Sequence, residues 1–229
     1  MPVGGSGAGG AGDSATSSTP QHPIYSIEYY KQFFDVDSDQ VLKRSLRSFV
    51  FWKPDFFQSL QPSPDLYGPF WIATTVVFIL FVTGNLSGSI MSTYNGTEFK
   101  PDFEMLSLAA SSIYSYVFLG SLALWGVCKY YGIPISLLEF VCIYGYSMFI
   151  FIPTSIACVV PVEAVKWTLS MLAFGISGSF IVLNIWTPAK EANRGAAVFL
   201  CGAIILCHLG LTLLFKFVFF TYKNVQINV

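Results

Sequence analysis

The feature that most constrains this chain is an apolar run from Phe70 to about Met91 that contains no charged residue. As an α-helix this run would be ~33 Å long, which is enough to cross the ~30 Å hydrocarbon core of a bilayer. It opens at Asp65-Leu66-Tyr67-Gly68-Pro69. Pro69 suits the first turn of a helix, because the N–H groups there have no intrahelical acceptor. The sequence therefore predicts a membrane-spanning helix that starts at this motif.

Four further apolar runs follow, and polar segments separate them. The third run contains Pro153, so its helix either kinks or ends at that residue. The chain is therefore predicted to be an all-α membrane protein with five transmembrane helices in a bundle, over 65–221. In chain order the predicted spans are about 70–91, 105–127, 135–158, 167–186 and 195–220.

Composition supports membrane residence and argues against several classes of function. Hydrophobic residues make up 54% of the chain, charged residues only 11%, and the mean hydropathy is +0.60, which is too apolar for a water-soluble protein. The net charge is -1, and Lys and Arg form no stripe, so we expect no binding to nucleic acid. The five cysteines include no CxxC pair, and we expect them to be small buried residues rather than metal ligands or disulfides. No catalytic motif is present, so we expect a protein that is not an enzyme and has no cofactor or metal.

The part of the chain before the first span divides in two. Residues 1–23 are rich in Gly, Ser and Ala, which predicts a disordered cytosolic tail. They lack the basic and apolar regions of a secretory signal peptide, so we expect the first span to target the chain to the membrane. Residues 24–64 form an aromatic and basic juxtamembrane segment. Asp35, Asp37 and Asp39 resemble the start of a calcium loop, but the required Gly and Glu are missing and no calcium site is predicted.

A short helix is predicted after these aspartates, with Ser38 or Asp39 as its cap. Its apolar side chains would share one face, and its basic side chains would lie beside that face. Two interpretations are open: a cytosolic packing element with a solvated basic face, or a helix that docks on a lipid surface or a partner. The apolar residues are Leu42, Leu46, Phe49 and Val50, and the basic ones are Lys43, Arg44 and Arg47.

The distribution of cations predicts the orientation, because cytosolic loops carry an excess of Lys and Arg. With the N-terminus in the cytosol, most cations outside the spans lie on the cytosolic side and 222–229 forms a lumenal tail. The cytosolic set is Lys31, Lys43, Arg44, Arg47, Lys53, Lys129, Lys190 and Arg194, against Lys100, Lys166 and Lys223 in the lumen. This orientation also exposes the sequon Asn95-Gly96-Thr97 to the lumen, so Asn95 is a candidate glycosylation site.

Three ionisable residues lie within the predicted spans, where charge is costly and often functional. We expect Glu139 and Lys216 to reach the interface, because each lies about one turn from the end of a span. His208 is deeper, and we expect it to be hydrogen-bonded to a neighbouring helix.

Two motifs together resemble the Yip-domain family of small multi-pass proteins of the early secretory pathway. They are Asp65-Leu66-Tyr67-Gly68-Pro69 before the first span, and Tyr144-Gly145-Tyr146-Ser147 with Ile152-Pro153 in the third. Glu28-Tyr29-Tyr30 and Phe33-Phe34-Asp35-Val36-Asp37 are similar to the cytosolic segment of the Golgi-resident branch of this family. The resemblance covers about 25–220.

This resemblance implies a multi-pass protein of Golgi or ER-to-Golgi membranes that acts in vesicle-mediated transport. It further implies association with prenylated Rab-type small GTPases and with other Yip-family members, as a hetero- or homo-oligomer. We expect 65–69 to form a rigid corner that presents 29–53 along the membrane. The alternatives are a helix start for the first motif and close packing of spans for the second. The candidate partner-binding residues are Asp65, Leu66, Tyr67, Gly68, Pro69, Tyr144, Gly145 and Tyr146.

A second class of function stays open beside this non-enzymatic scaffold. It is a small transporter or channel-like bundle that uses Glu139 and the third span broken at Pro153.

Overall fold

The computed structural model describes residues 34–50, 56–60 and 64–221, and within these ranges all regular secondary structure is helical. The predicted tails 1–23 and 222–229 lie outside the described residues. The helices are α1 (Ser38–Arg47), α2 (Phe56–Ser59), α3 (Tyr67–Asn95), α4 (Glu104–Tyr131), α5 (Leu137–Ala157), α6 (Glu163–Ala192) and α7 (Arg194–Phe219).

Helices α3 to α7 are long and apolar enough to cross a membrane, which confirms the predicted all-α fold with five spans. Successive spans reverse direction. One end of the bundle therefore holds the start of α3 and the end of α4, and we call it the Tyr67 end. The other holds the end of α3 and the start of α4, and we call it the Asn95 end.

Helix α6 continues beyond its predicted limit. The polar stretch after Trp186 is not a turn, because α6 continues to Ala192 with Pro188 inside it. A proline within a helix removes one hydrogen bond, and here Ala189 directly after it is buried against the bundle. Only Asn193 separates α6 from α7, and its side-chain oxygen caps α7 by accepting a hydrogen bond from the Ala196 N–H at 3.1 Å.

The third span continues through Pro153 instead of ending there. A short 3₁₀ turn, Met148–Ile150, precedes the proline, and α5 then runs on to Ala157. The tighter 3₁₀ turn changes the local backbone pattern where Pro153 has no N–H to donate to a carbonyl one turn earlier. Helix α5 is also the most buried of the five spans, with α3, α4 and α6 packed around it.

Helix α1 packs on the bundle through the side that carries its serines, and its leucines face outward. Its N-cap is Asp37, one residue before the predicted cap, and no side-chain hydrogen bond is made there. Ser45 and Ser48 are buried, whereas Leu42 and Leu46 are 56% and 53% exposed. The two leucines thus lie together on the face of α1 that points away from the bundle. A polar contact made by Arg44 orients the helix.

Candidate functional site

A cluster of polar side chains around Asp65 joins α1 to the start of α3. The Asp65 side chain is fully buried, and its Oδ2 accepts an ion-paired hydrogen bond from Nη1 of Arg44. Its Oδ1 accepts from the Gly68 N–H at 2.8 Å. The Tyr146 hydroxyl lies 3.2 Å and 3.1 Å from the two carboxylate oxygens. We call Arg44, Asp65, Gly68, Cys142 and Tyr146 the Asp65 cluster.

Asp65 stands just before α3 because the first N–H groups of a helix need a hydrogen-bond acceptor. The first N–H groups of α3 have no intrahelical partner, and a carboxylate near a helix N-terminus is also favoured by the helix dipole. Its backbone carbonyl is used as well, since the Cys142 thiol donates to it at 2.8 Å. A buried carboxylate is tolerated only when it is paired and hydrogen-bonded, and this cluster meets both conditions.

The glycines of the two motifs allow α3 and α5 to touch. A side chain at Gly68 would overlap the Tyr146 hydroxyl, and a Cβ at Gly145 would lie 2.6 Å from Cα of Pro69. Real Cβ atoms do not come this close to backbone, so Gly145 cannot be replaced without movement of α3, and a side chain at Gly68 would displace the buried Tyr146 hydroxyl. The two motifs are therefore the two sides of one helix contact, which the sequence spacing of about 80 residues conceals.

The segment between α1 and α3 is held on the bundle by further contacts. Arg44 also donates from Nη2 to the Ser59 carbonyl at 3.1 Å. The Phe57 N–H donates to the Asn184 side-chain oxygen of α6 at 3.0 Å. Phe56 is 1% exposed, and its ring lies 5.3 Å from the Tyr146 ring and 4.8 Å from the Phe180 ring. One ion pair and one buried aromatic side chain thus anchor a segment that precedes the spans.

The sequence profile of the Yip1 domain matches residues 48–214, which include both motifs and their contact. The chain belongs to the Yip1-domain family. It is 40% identical over 200 residues to "Protein YIPF1 homolog" of Dictyostelium discoideum, covering 87% of this chain and 57% of that protein. It is 30% identical to "Protein YIP5" of Schizosaccharomyces pombe, covering 83% of this chain and 79% of the relative. For "Protein YIP5" of Saccharomyces cerevisiae the identity is 24%, with 85% and 70% covered.

The chain therefore spans little more than half the length of the Dictyostelium relative. No solved structure matches it.

The other candidate residues of the Yip1 domain do not all reach the Asp65 cluster. Leu66 and Tyr67 are half-buried, and the Tyr67 ring lies 6.2 Å from the Trp71 ring at the first turn of α3. Tyr144 is 1% exposed and faces α4, where its ring lies 5.0 Å from that of Tyr116. Asn95 is exposed at the opposite end of the bundle, as the last residue of α3 before Gly96 with φ 67°.

Tyr144 belongs to a second polar group, in the interior of the bundle. The Tyr116 hydroxyl lies 2.6 Å from Nδ1 of His208, which confirms that this histidine bonds to a neighbouring helix. Tyr116 sits in a π turn, Ser115–Leu119, which is one extra residue wide and shifts the side chains that follow it. The Phe174 ring stacks on the imidazole at 5.8 Å. This group ties α4, α6 and α7 together.

Glu139 caps a helix. Its Oε2 accepts from the Ser136 N–H at 2.7 Å, while the Ser136 hydroxyl oxygen accepts from the Glu139 N–H at 3.2 Å. This reciprocal capping box starts α5, and Glu139 is only 6% exposed. Because α5 also continues through Pro153, the two residues do not combine into an open site of the kind that the transport alternative needs.

Lys216 lies at the Asn95 end, close to Glu163, Trp167 and Lys166. It donates to Glu163 at 2.9 Å and lies 5.0 Å above the Trp167 ring. Lys166 is fully buried there and donates to the Phe220 carbonyl at 2.7 Å. Among the described residues, no group of three or more potential ligands is placed to hold a metal ion.

Sequence reasoning missed several partners in the Asp65 cluster and its surroundings. The sequence places Arg44 on a basic face but does not pair it with Asp65. It predicts burial of Cys142 but not its bond to Asp65, and it indicates no role for Phe56 or Asn184. Asn184 carried a usable signal, since a buried amide in an apolar span marks a helix contact. Nothing in the linear spacing indicates that Arg44 meets a residue 21 positions later.

Proposed function

We propose that this Yip1-domain protein is a non-enzymatic scaffold of Golgi membranes in vesicle-mediated transport. It associates with Rab-type small GTPases and with other Yip-family members as a hetero- or homo-oligomer. The observation that carries the proposal is the buried ion pair between Arg44 and Asp65. Through this pair, a motif typical of the family holds the segment before the spans in a defined place.

The motif acts on a partner through this placement. Asp65, Gly68, Pro69 and Tyr146 are buried, so a soluble partner does not touch their side chains. What they determine is the position of α1, whose charged and apolar residues are exposed. The rigid corner expected at 65–69 thus acts by keeping a docking segment against the bundle.

The proposal includes an orientation in which the Tyr67 end faces the cytosol. The support is that the Tyr67 end carries more Lys and Arg residues than the Asn95 end, because cytosolic ends carry the excess of cations. Those in the described residues are Lys43, Arg44, Arg47, Lys129, Lys190 and Arg194. Asn95 then lies in the lumen. A band shift on removal of N-glycans that is lost in Asn95→Gln would support this orientation, and labelling of a Tyr130→Cys thiol from the lumenal side only would contradict it.

The scaffold proposal is tested by recovering small GTPases and family members with the full-length protein from Golgi membranes. Asp65→Asn removes the charge that holds Arg44 and keeps an oxygen for the Gly68 N–H. We expect several-fold lower recovery of GTP-loaded Rab proteins, while α3 to α7 stay folded. Asp39→Asn is the matched control, because it removes an exposed carboxylate from the same segment.

Unchanged Rab recovery with Asp65→Asn would contradict docking through this segment. Recovery of other multi-pass proteins alone, from the wild type and both variants, would move the function into the spans. Loss of transport activity in Glu139→Gln with intact partner recovery would favour the transport alternative.

A further inference from the structure

The position of α1 relative to the membrane suggests a ligand that the scaffold proposal does not include. Phe49, just after α1, packs its ring 5.3 Å from that of Phe149, which is well inside α5. Twelve residues separate Phe149 from the start of α5 at Leu137, or ~18 Å of helix. Phe57 likewise bonds to Asn184, ~12 Å before α6 ends. The segment therefore lies beside the spans, and the ion pair of Arg44 with Asp65 places α1 at the level where α3 begins.

The outward face of α1 has the composition of an interfacial helix. Leu42 and Leu46 are one turn apart and more than half exposed, and Lys43 and Arg47 are exposed next to them. In addition, Phe70 and Trp71 are exposed at the first turn of α3, where aromatic side chains sit at headgroup level. Apolar side chains beside cations, at this depth, match a surface that contacts acyl chains and lipid headgroups together.

A groove of about 470 Å³ lies on the basic side of α1 and extends to α2. Its lining combines three cationic side chains with the apolar side chains of Leu46 and Val50. Arg44 is neutralised by Asp65, but neither Lys43 nor Arg47 has a carboxylate within ion-pair distance among the described residues. The lining residues are Gln40, Lys43, Arg44, Leu46, Arg47, Val50 and Ser59.

We propose that this groove binds the phosphate-bearing headgroup of an anionic phospholipid from the leaflet at the Tyr67 end. Lys43 and Arg47 supply the charge, and Leu46 and Val50 contact the upper part of the acyl chains. The site does not extend towards the start of α1, because the acidic side chains there would repel a phosphate. These are Asp35, Asp37 and Asp39. An acidic protein segment would satisfy the cations equally, but it would leave the leucines at membrane depth without an apolar neighbour.

Hydrogen exchange of the full-length protein in nanodiscs tests this site. We compare discs of phosphatidylcholine alone with discs that contain phosphatidylserine or a phosphatidylinositol phosphate. The expected result is exchange in 38–50 that is several-fold slower in the anionic discs, and a loss of this protection in Lys43→Gln/Arg47→Gln. Both side chains are exposed, so the variant is expected to fold. The matched control is Lys129→Gln/Lys190→Gln, which removes two cations of the same end outside the groove and should keep the protection.

Three outcomes would overturn the proposal. One is equal protection from inorganic phosphate added to phosphatidylcholine discs, which would indicate a site for free anions. Another is an absence of protection in any lipid until an acidic protein is added, which would assign the groove to a protein partner. Loss of the protection in the control variant would also overturn it, since general attraction to the membrane would then explain the effect.

Discussion

The two ends of the bundle both bury a cation near a carboxylate, but they do so in different surroundings. At the Tyr67 end, Arg44 meets Asp65, whose side chain is 0% exposed. At the Asn95 end, Lys166 and Lys216 share Glu163, whose side chain is 56% exposed. An ion pair whose carboxylate is half-exposed is screened by water and salt and contributes little. Removing one partner of a fully buried pair destabilises the fold strongly.

The difference also concerns which parts of the chain are joined. Arg44 comes from a segment before the spans, so its ion pair determines whether that segment is attached. Lys166 and Lys216 come from spans that already pack along their lengths. We infer that the ion pair at the Tyr67 end controls the position of α1, whereas the ion pairs at the Asn95 end only add to contacts between spans that already pack together.

The largest effect is expected for Asp65→Asn. Docking of α1 should be destabilised by about 3–5 kcal/mol, because the mostly buried Arg44 side chain loses its ion pair with the Asp65 carboxylate. Amide exchange in Ser38–Arg47 should become faster by about two to four orders of magnitude, up to the rate of an undocked segment. Exchange in the interior of α5 should not change. If α1 keeps its protection while Asp39→Asn loses it, the ion pair is not what holds the helix.

The second effect concerns the contact between the two motifs. Gly145→Ala should destabilise the bundle by about 1–3 kcal/mol, because the new methyl group meets the Pro69 backbone, which cannot rotate away. Thermal unfolding in detergent measures this change. Gly175→Ala is the control, since nothing lies within 4 Å of the added atom there. Equal melting temperatures for the two variants would show that α3 and α5 can separate without penalty.

A smaller effect is expected at the Asn95 end for Lys166→Met. The bond to the Phe220 carbonyl is lost, but methionine also avoids the burial of an ammonium group, so we expect a net loss of about 1 kcal/mol. Unfolding in the same detergent, with exposed Lys100→Met as control, measures it. A loss as large as that of Asp65→Asn would remove the distinction between the two ends.

The smallest effect concerns the thiol of Cys158, just beyond the end of α5. Burial raises the pKa of this thiol to about 11, although Lys166 and Lys216 nearby lower it in part. Only on the order of 1 in 10,000 thiols is then ionised at pH 7, and the reactive thiolate increases as pH rises towards the pKa. We expect slow alkylation by iodoacetamide, faster at pH 9, with peptide mass spectrometry as the readout. Rapid labelling at pH 7 would mean that solvent reaches Cys158 at the Asn95 end of the bundle.

Much of the fold could be predicted from local sequence. Each span was visible as an apolar run, because a helix that crosses a bilayer must satisfy its own backbone and cover it with apolar side chains. Local rules failed where packing decided the outcome, as at Pro188, which stays inside α6. There, contacts with distant residues outweigh the local preference.

The candidate site was predicted only in part. The motifs at 65–69 and 144–147 were recognised, but their mutual contact and the roles of Arg44 and Asn184 were not. Helix order in a bundle is hard to derive from sequence, since lipid-facing and buried apolar faces have similar residues.

The sequence by itself determined that this chain crosses a membrane five times, where its spans lie and which family it resembles, because these depend on local hydropathy and on contiguous motifs. The tertiary structure alone decided that Arg44, Asp65 and Tyr146 form one buried cluster and that α1 lies beside the spans. Charge burial depends on which distant residues meet, and only the packed bundle brings these three together.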